Sequence, residues 1–153
     1  MSDTVLTVNV ANYSSTQWYL DQWGSSTETG VSGITQQPGA TLPANAGQTT
    51  FQYEQDMVGT LADGVAGIWC CWNNGTVRFG VKLWAPYQMF GIGSSPFWYY
   101  MSDTSPDSAT INWVCNSERS AQYDWPASVG FNIVAVPDSE SATLTVNVTI
   151  QDT

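Results

Sequence analysis

The chain has 153 residues, enough for one domain with a real core, and sets thirteen acidic against three basic residues for a formal charge of −10. Hydrophobic residues make up 42% and charged residues only 10%, so the composition is not that of a disordered chain, and Ser, Thr, Asn and Gln must supply the polar surface. With Arg78, Lys82 and Arg119 as its whole basic complement, the chain is expected to bind neither nucleic acid nor anionic lipid, both of which need clustered cations.

Met1-Ser2-Asp3 offers no basic n-region and no apolar h-region, so no secretory signal is expected, and no apolar run approaches the roughly 20 residues that span a bilayer. Residues 5–10 then alternate, with Leu6, Val8 and Val10 on one face and Thr7 and Asn9 on the other, the period of a half-buried strand. Further strands are expected at 17–22, 49–53, 64–72, 76–84, 96–101, 110–115, 121–125 and 130–136. The last strand alternates over Leu144, Val146, Val148 and Ile150. It shares the string Leu-Thr-Val-Asn-Val with the first, which reads as chance similarity between two β-branched segments.

Turn chemistry punctuates these runs. Asn74-Gly75 predicts a type I′ hairpin. Pro38-Gly39, Asn45-Ala46-Gly47, Asp63-Gly64 and Pro137-Asp138 mark other turns. Helix signals are weak, with room for one or two short helices, for example at 104–108. Many short strands without a linker predict one all-β domain over residues 1–153, a two-sheet antiparallel sandwich.

Cys70, Cys71 and Cys115 are too few for a disulfide framework. Cys70 and Cys71 are adjacent on a strand and face opposite ways, which leaves two outcomes open: one of them pairs with Cys115, or all stay as buried thiols. The chain contains no histidine, so no zinc site, no Ser-His-Asp triad and no Cys-His pair is expected. No phosphate-binding loop or dinucleotide fingerprint is present, and no cofactor is expected. Glu54, Asp56, Asp63, Asp103, Asp107, Glu118 and Asp124 read as solvated turn residues rather than a glycosidase pair. The chain is therefore expected to bind rather than catalyse.

Its unusual feature is aromatic. Eight Trp, seven Tyr and five Phe are 13% of the chain, concentrated at Trp84-Ala85-Pro86-Tyr87-Gln88-Met89-Phe90, Phe97-Trp98-Tyr99-Tyr100 and Tyr123-Asp124-Trp125. Four aromatics in a row on a strand cannot all enter one core, so at least two are expected to face outward or lie on a loop. Trp18, Trp69, Trp72 and Trp113 are expected to fill the core instead. Exposed Trp and Tyr suit a membrane interface, a sugar ring or a quaternary ammonium group.

In order, these features resemble the actinoporin-like superfamily, which includes the actinoporins, aegerolysins and fungal fruit-body lectins. They are the strand ending Val8-Asn9-Val10-Ala11-Asn12, the turn at Pro38-Gly39, the strand near Phe51, Gly59-Thr60, Gly64-Val-Ala-Gly67-Ile68-Trp69 and the Asn74-Gly75 hairpin. The strand 77–84 running into Pro86-Tyr87, an aromatic strand and an alternating last strand complete the order. Pro86 and Tyr87 match the actinoporin Pro-Tyr pair, and Tyr99, Tyr100 and Tyr123 are counterparts of its headgroup tyrosines. Leu83-Trp84-Ala85-Pro86-Tyr87 resembles only in part the aegerolysin string Trp-Asp-Cys-Pro-Trp-Gly-Ser. About three residues precede the first strand, so no piercing helix of the actinoporin kind is expected there, and the aegerolysins are the nearer resemblance.

The resemblance implies a sphingolipid-headgroup-binding module of a cytolysin or insecticidal toxin, leaderless, released by a non-classical route and acting at a target membrane. Its partners would be a zwitterionic sphingolipid and a larger perforin-like protein. Trp84, Tyr87, Phe90, Trp98 and Tyr100 would insert at the interface, with Pro86 and Phe97 in the same cluster, while Tyr99, Tyr123 and Trp125 would shape a headgroup pocket. Two rival readings remain: a glycan-binding lectin of the same fold, and a structural or storage protein that forms homo-oligomers through its aromatic face.

Overall fold

The computed structural model describes residues 4–27, 31–56, 66–85, 98–102, 114–116, 123–124, 131–140 and 143–153. Among them run, in chain order, β1 (Thr4–Asn12), β2 (Trp18–Thr27), β3 (Val31–Gln36), β4 (Thr41–Leu42), β5 (Gly47–Asp56) and β6 (Ala66–Asn73). The series continues with β7 (Arg78–Ala85), β8 (Trp98–Ser102), β9 (Val114–Asn116), β10 (Tyr123–Asp124), β11 (Phe131–Glu140) and β12 (Thr143–Asp152). The first sheet has the order β10-β11-β12-β1-β5-β3 and the second β4-β2-β6-β7-β8-β9. The protein is thus all-β with two packed sheets, and no helix occurs among the described residues. The helix expected at 104–108 and the turn at Asp63-Gly64 lie outside the described residues.

The first sheet is mixed rather than antiparallel. β1 pairs with β12 in parallel, in the register Leu6↔Leu144, Thr7↔Thr145, Val8↔Val146, Asn9↔Asn147 and Val10↔Val148. The two copies of Leu-Thr-Val-Asn-Val therefore lie side by side with every residue beside its twin. Parallel in-register strands reward identity, because each rung then holds two side chains of the same length and chemistry. A string that reads as chance in one dimension is a ladder in three.

The alternation read from the sequence sorts the faces. Leu6, Val8, Val10, Leu144, Val146, Val148, Ile150, Phe51, Tyr53, Ile133 and Ala135 turn inward from the first sheet. They meet Trp18, Leu42, Ile68, Cys70, Trp72, Phe79, Val81 and Leu83 of the second, all at most 1% exposed. Each such aliphatic or aromatic side chain contributes about 1.5–3 kcal/mol of burial. Three edge-to-face contacts join the aromatic part of the core: Trp18 with Phe79 at 5.4 Å, Trp18 with Phe131 at 5.2 Å, and Trp23 with Phe51 at 5.6 Å.

Two turns differ from expectation. Asn74-Gly75 does join β6 to β7, but Asn73 pairs with Arg78, so the loop has four residues, and of the Asn-Gly pair only Gly75 has positive φ (95°). A type I′ turn needs positive φ at both centres. Here the Asn74 side chain takes over, accepting the backbone N–H of Thr76 at 2.9 Å and of Val77 at 2.8 Å. Pro137 marks no turn: it is buried within β11 and pairs with Val146. The described pairing of β10 with β11 covers Val134 and Ala135, two residues before Pro137. The turn at Asn45-Ala46 is present, with both residues at positive φ.

Candidate binding surfaces

The aromatic strands lie at one end of the second sheet. β7 and β8 pair with Trp84 opposite Trp98, Leu83 opposite Tyr99 and Lys82 opposite Tyr100. Leu83 is fully buried, which makes its rung part of the inward face, so the register sets Tyr99 on that rung and Trp98 and Tyr100 on the two alternate ones. Tyr123 belongs to β10, opposite Ala135, in the first sheet. Register thus brings Trp84 together with Trp98 and sets Tyr123 in the other sheet from Tyr99. Pro86, Tyr87, Phe90, Phe97 and Trp125 lie outside the described residues.

Trp69 departs from its expected place. Its neighbours Ile68 and Cys70 occupy the core, so Trp69 turns to the outward face and stays half-buried there, while Trp18 and Trp72 are fully buried as expected. The Trp69 ring lies over Gly24: a Cβ there would stand 2.7 Å from Trp69 Cζ2. Register extends this rung across the sheet, Gly24 to Trp69, Trp69 to Lys82, Lys82 to Tyr100, and Tyr100 to Cys115. Partial burial pulls the Lys82 ammonium below the usual lysine range. A single cation thus shares a rung with Trp69 and Tyr100, two residues along β7 and β8 from the Trp84–Trp98 pair. The sequence hinted at Trp69 only through its apolar neighbours, which pointed it inward by association.

Further along the same sheet, β2 carries an irregularity between Leu20 and Gln22 that leaves Asp21 unpaired in the ladder. Asn73 Nδ2 donates to Asp21 Oδ1, and Arg78 Nε stands 3.6 Å from Asp21 Oδ2. Burial raises the Asp21 carboxyl above the usual range, with Arg78 and Asn73 opposing. Cys70 and Cys71 carry free, buried thiols, each pushed up to about 12 by burial. That settles the cysteine alternatives for these two residues in favour of thiols.

The outward face of the first sheet is different in kind. Thr7, Asn9, Gln48, Thr50, Gln52, Thr145, Asn147 and Thr149 alternate with its core residues. Asn9 Nδ2 donates to Asn147 Oδ1 at 3.0 Å, Thr50 Oγ1 donates to Asn9 Oδ1 at 2.7 Å, and Gln52 Nε2 donates to Thr7 Oγ1 at 3.1 Å. Across these rungs runs a groove of about 350 Å³, lined by Asn9, Tyr13, Gln48, Thr50, Asn147 and Thr149 among others. Sequence reading assigned this surface no role; its one signal was the repeated Leu-Thr-Val-Asn-Val.

Among the described residues, no group of three or more His, Cys, Asp or Glu is placed to hold a metal ion, and no helix is long and apolar enough to cross a membrane. The two-sheet all-β architecture is the part of the actinoporin-like resemblance that the structure carries. No protein-family model and no curated protein matches the chain.

Proposed function

We propose that the chain is a recognition module for a zwitterionic membrane lipid of the sphingolipid class, serving a cytolysin or toxin of the aegerolysin kind. The observation that carries this reading is the register of the second sheet, where Trp69, Lys82 and Tyr100 share a rung beside the Trp84–Trp98 pair. Trp and Tyr settle at the membrane–water boundary because the ring body meets apolar matter while the N–H or O–H stays hydrated. The Lys82 ammonium meets the headgroup phosphate, and aromatic faces meet the quaternary or primary ammonium. Three basic residues against thirteen acidic ones leave little attraction to anionic bilayers, so affinity comes from ring burial at roughly 25 cal/mol per Å² and varies little with salt.

The test is co-sedimentation and tryptophan emission with vesicles of phosphatidylcholine alone, and with sphingomyelin or ceramide phosphoethanolamine added. Pelleting and a blue shift that need the sphingolipid, persist at high salt and are lost in Trp98→Ala with unchanged thermal stability support the reading. Equal behaviour on all vesicles, or none on any, sinks it.

A further inference from the structure

We infer that the outward face of the first sheet carries a separate binding site for a neutral saccharide, in the groove between Tyr13 and the Asn9–Asn147 pair. This does not rest on the lipid reading: it concerns another sheet and other residues. The groove is about 350 Å³, at the lower end of the roughly 300–1,000 Å³ typical of small-ligand sites. No charged side chain lines it. On a chain of net charge −10 an anionic ligand would be repelled from such a site, and a cation would find no carboxylate to receive it. An apolar ligand would strip water from amides and hydroxyls without replacing their hydrogen bonds. A polyhydroxylated, uncharged ring fits all three constraints.

The polar groups are held in place beforehand. Asn9 spends its oxygen on Thr50 and its nitrogen on Asn147, which fixes both amide planes. The arrangement leaves the Asn147 nitrogen to donate and the Thr50 oxygen to accept on opposite sides of Asn9, so the two can engage hydroxyls at different positions of a saccharide. Because these groups are ordered by one another, little side-chain entropy remains to be lost on binding. Gln48 and Thr149 extend the donors and acceptors on either side, where Ala11 keeps the floor low. Tyr13, 47% exposed at the end of the groove, offers a ring face for the C–H side of a hexose. Its backbone N–H is already used by the Ile150 carbonyl at 2.8 Å, so the ring can be removed without loosening the corner.

The experiment is calorimetric titration of the full chain with two β-linked neutral probes, cellotetraose and chitotetraose, backed by an array of neutral glycans. The expected result is saturable binding of at least one neutral oligosaccharide, weakened by roughly tenfold or more in Tyr13→Ala and in Gln48→Ala with unchanged denaturation midpoints. Sphingolipid-dependent pelleting should be the same in both variants as in the parent chain. Absence of binding to every neutral glycan overturns the inference, as does saccharide binding that survives both substitutions. Saccharide binding abolished by Trp98→Ala and untouched by Tyr13→Ala would place the sugar on the aromatic sheet and overturn it equally.

Discussion

Asn9 and Asn147, 138 residues apart in the chain, stand beside each other on parallel strands, with the Asn9 amide nitrogen donating to the Asn147 side-chain oxygen at 3.0 Å. The direction of that bond gives an asymmetric prediction. Asn147→Asp keeps an acceptor where one is needed and should leave stability close to that of the parent chain. Asn9→Asp replaces the donor with a second acceptor and should cost about 1 kcal/mol. Urea denaturation of both variants checks this; equal losses would mean that the pair does not act as described.

Gly24 is required by the ring above it. A methyl group at this position would lie 2.7 Å from Trp69 Cζ2 and 2.9 Å from Cε2, so the indole must lift or β2 must shift. Gly24→Ala should destabilise the protein by about 1–3 kcal/mol, in the range of overpacking elsewhere. Gly24→Ala in a Trp69→Ala background should cost much less, and a double-mutant cycle measures the difference.

The two thiols of β6 should be chemically silent in the folded chain. Their pKa values are pushed from 9.0 up to about 12 by burial, and the thiolate is the reactive form. Alkylation at pH 8 followed by peptide mass mapping should leave Cys70 and Cys71 unmodified until denaturant is added. Because the folded values are raised, the unfolded chain releases these protons first. The contribution to stability is full below pH 9.0 and is lost as pH rises toward about 12. Denaturation midpoints should fall across that window, and fall less in Cys70→Ala.

Asp21 should be a liability at neutral pH. Its carboxyl is raised by burial, so the folded state keeps the proton to higher pH than the unfolded state. Stability from this group is full below 3.8 and is lost as pH rises through the folded value. Asp21→Asn should therefore stabilise the protein at pH 7 and lose that advantage near pH 3. The partner Arg78 is 47% exposed and loses little when the ion pair goes. A destabilised variant at pH 7 would show that the pair outweighs the burial.

Most of the strand pattern was legible because alternation is a local property. Leu6, Val8 and Val10, or Leu144 through Ile150, declare their faces without reference to partners. Strands β3 and β4 escaped notice: Val31–Gln36 includes Gly33 and three polar residues, and Thr41–Leu42 is too short for any period. The parallel β1–β12 pair was spelled out in the chain yet unreadable as pairing, because nothing local tells a repeated string from a shared rung. Pro137 misled for a related reason, since a proline reads as a turn until its pairing with Val146 within β11 is known. Register sets Trp98, Tyr99 and Tyr100 on alternating rungs, whereas Trp69 could be placed outward only once Ile68 and Cys70 were seen to fill the core. The polar groove was invisible in one dimension, being assembled from β1, β5 and β12.

The pairing of β1 with β12 also sets an order of events. A strand made early must wait for one made more than a hundred residues later before its central neighbour exists. Such contacts carry the highest loop-closure cost and give slow folding in β proteins. On the ribosome β1, β3 and β5 form at most a half-sheet, with β1 unpaired on one side, until β12 clears the exit tunnel. Any stall or truncation before residue 143 leaves that edge open to a second chain. For this protein, the synthesis of β12 is what allows the first sheet to close.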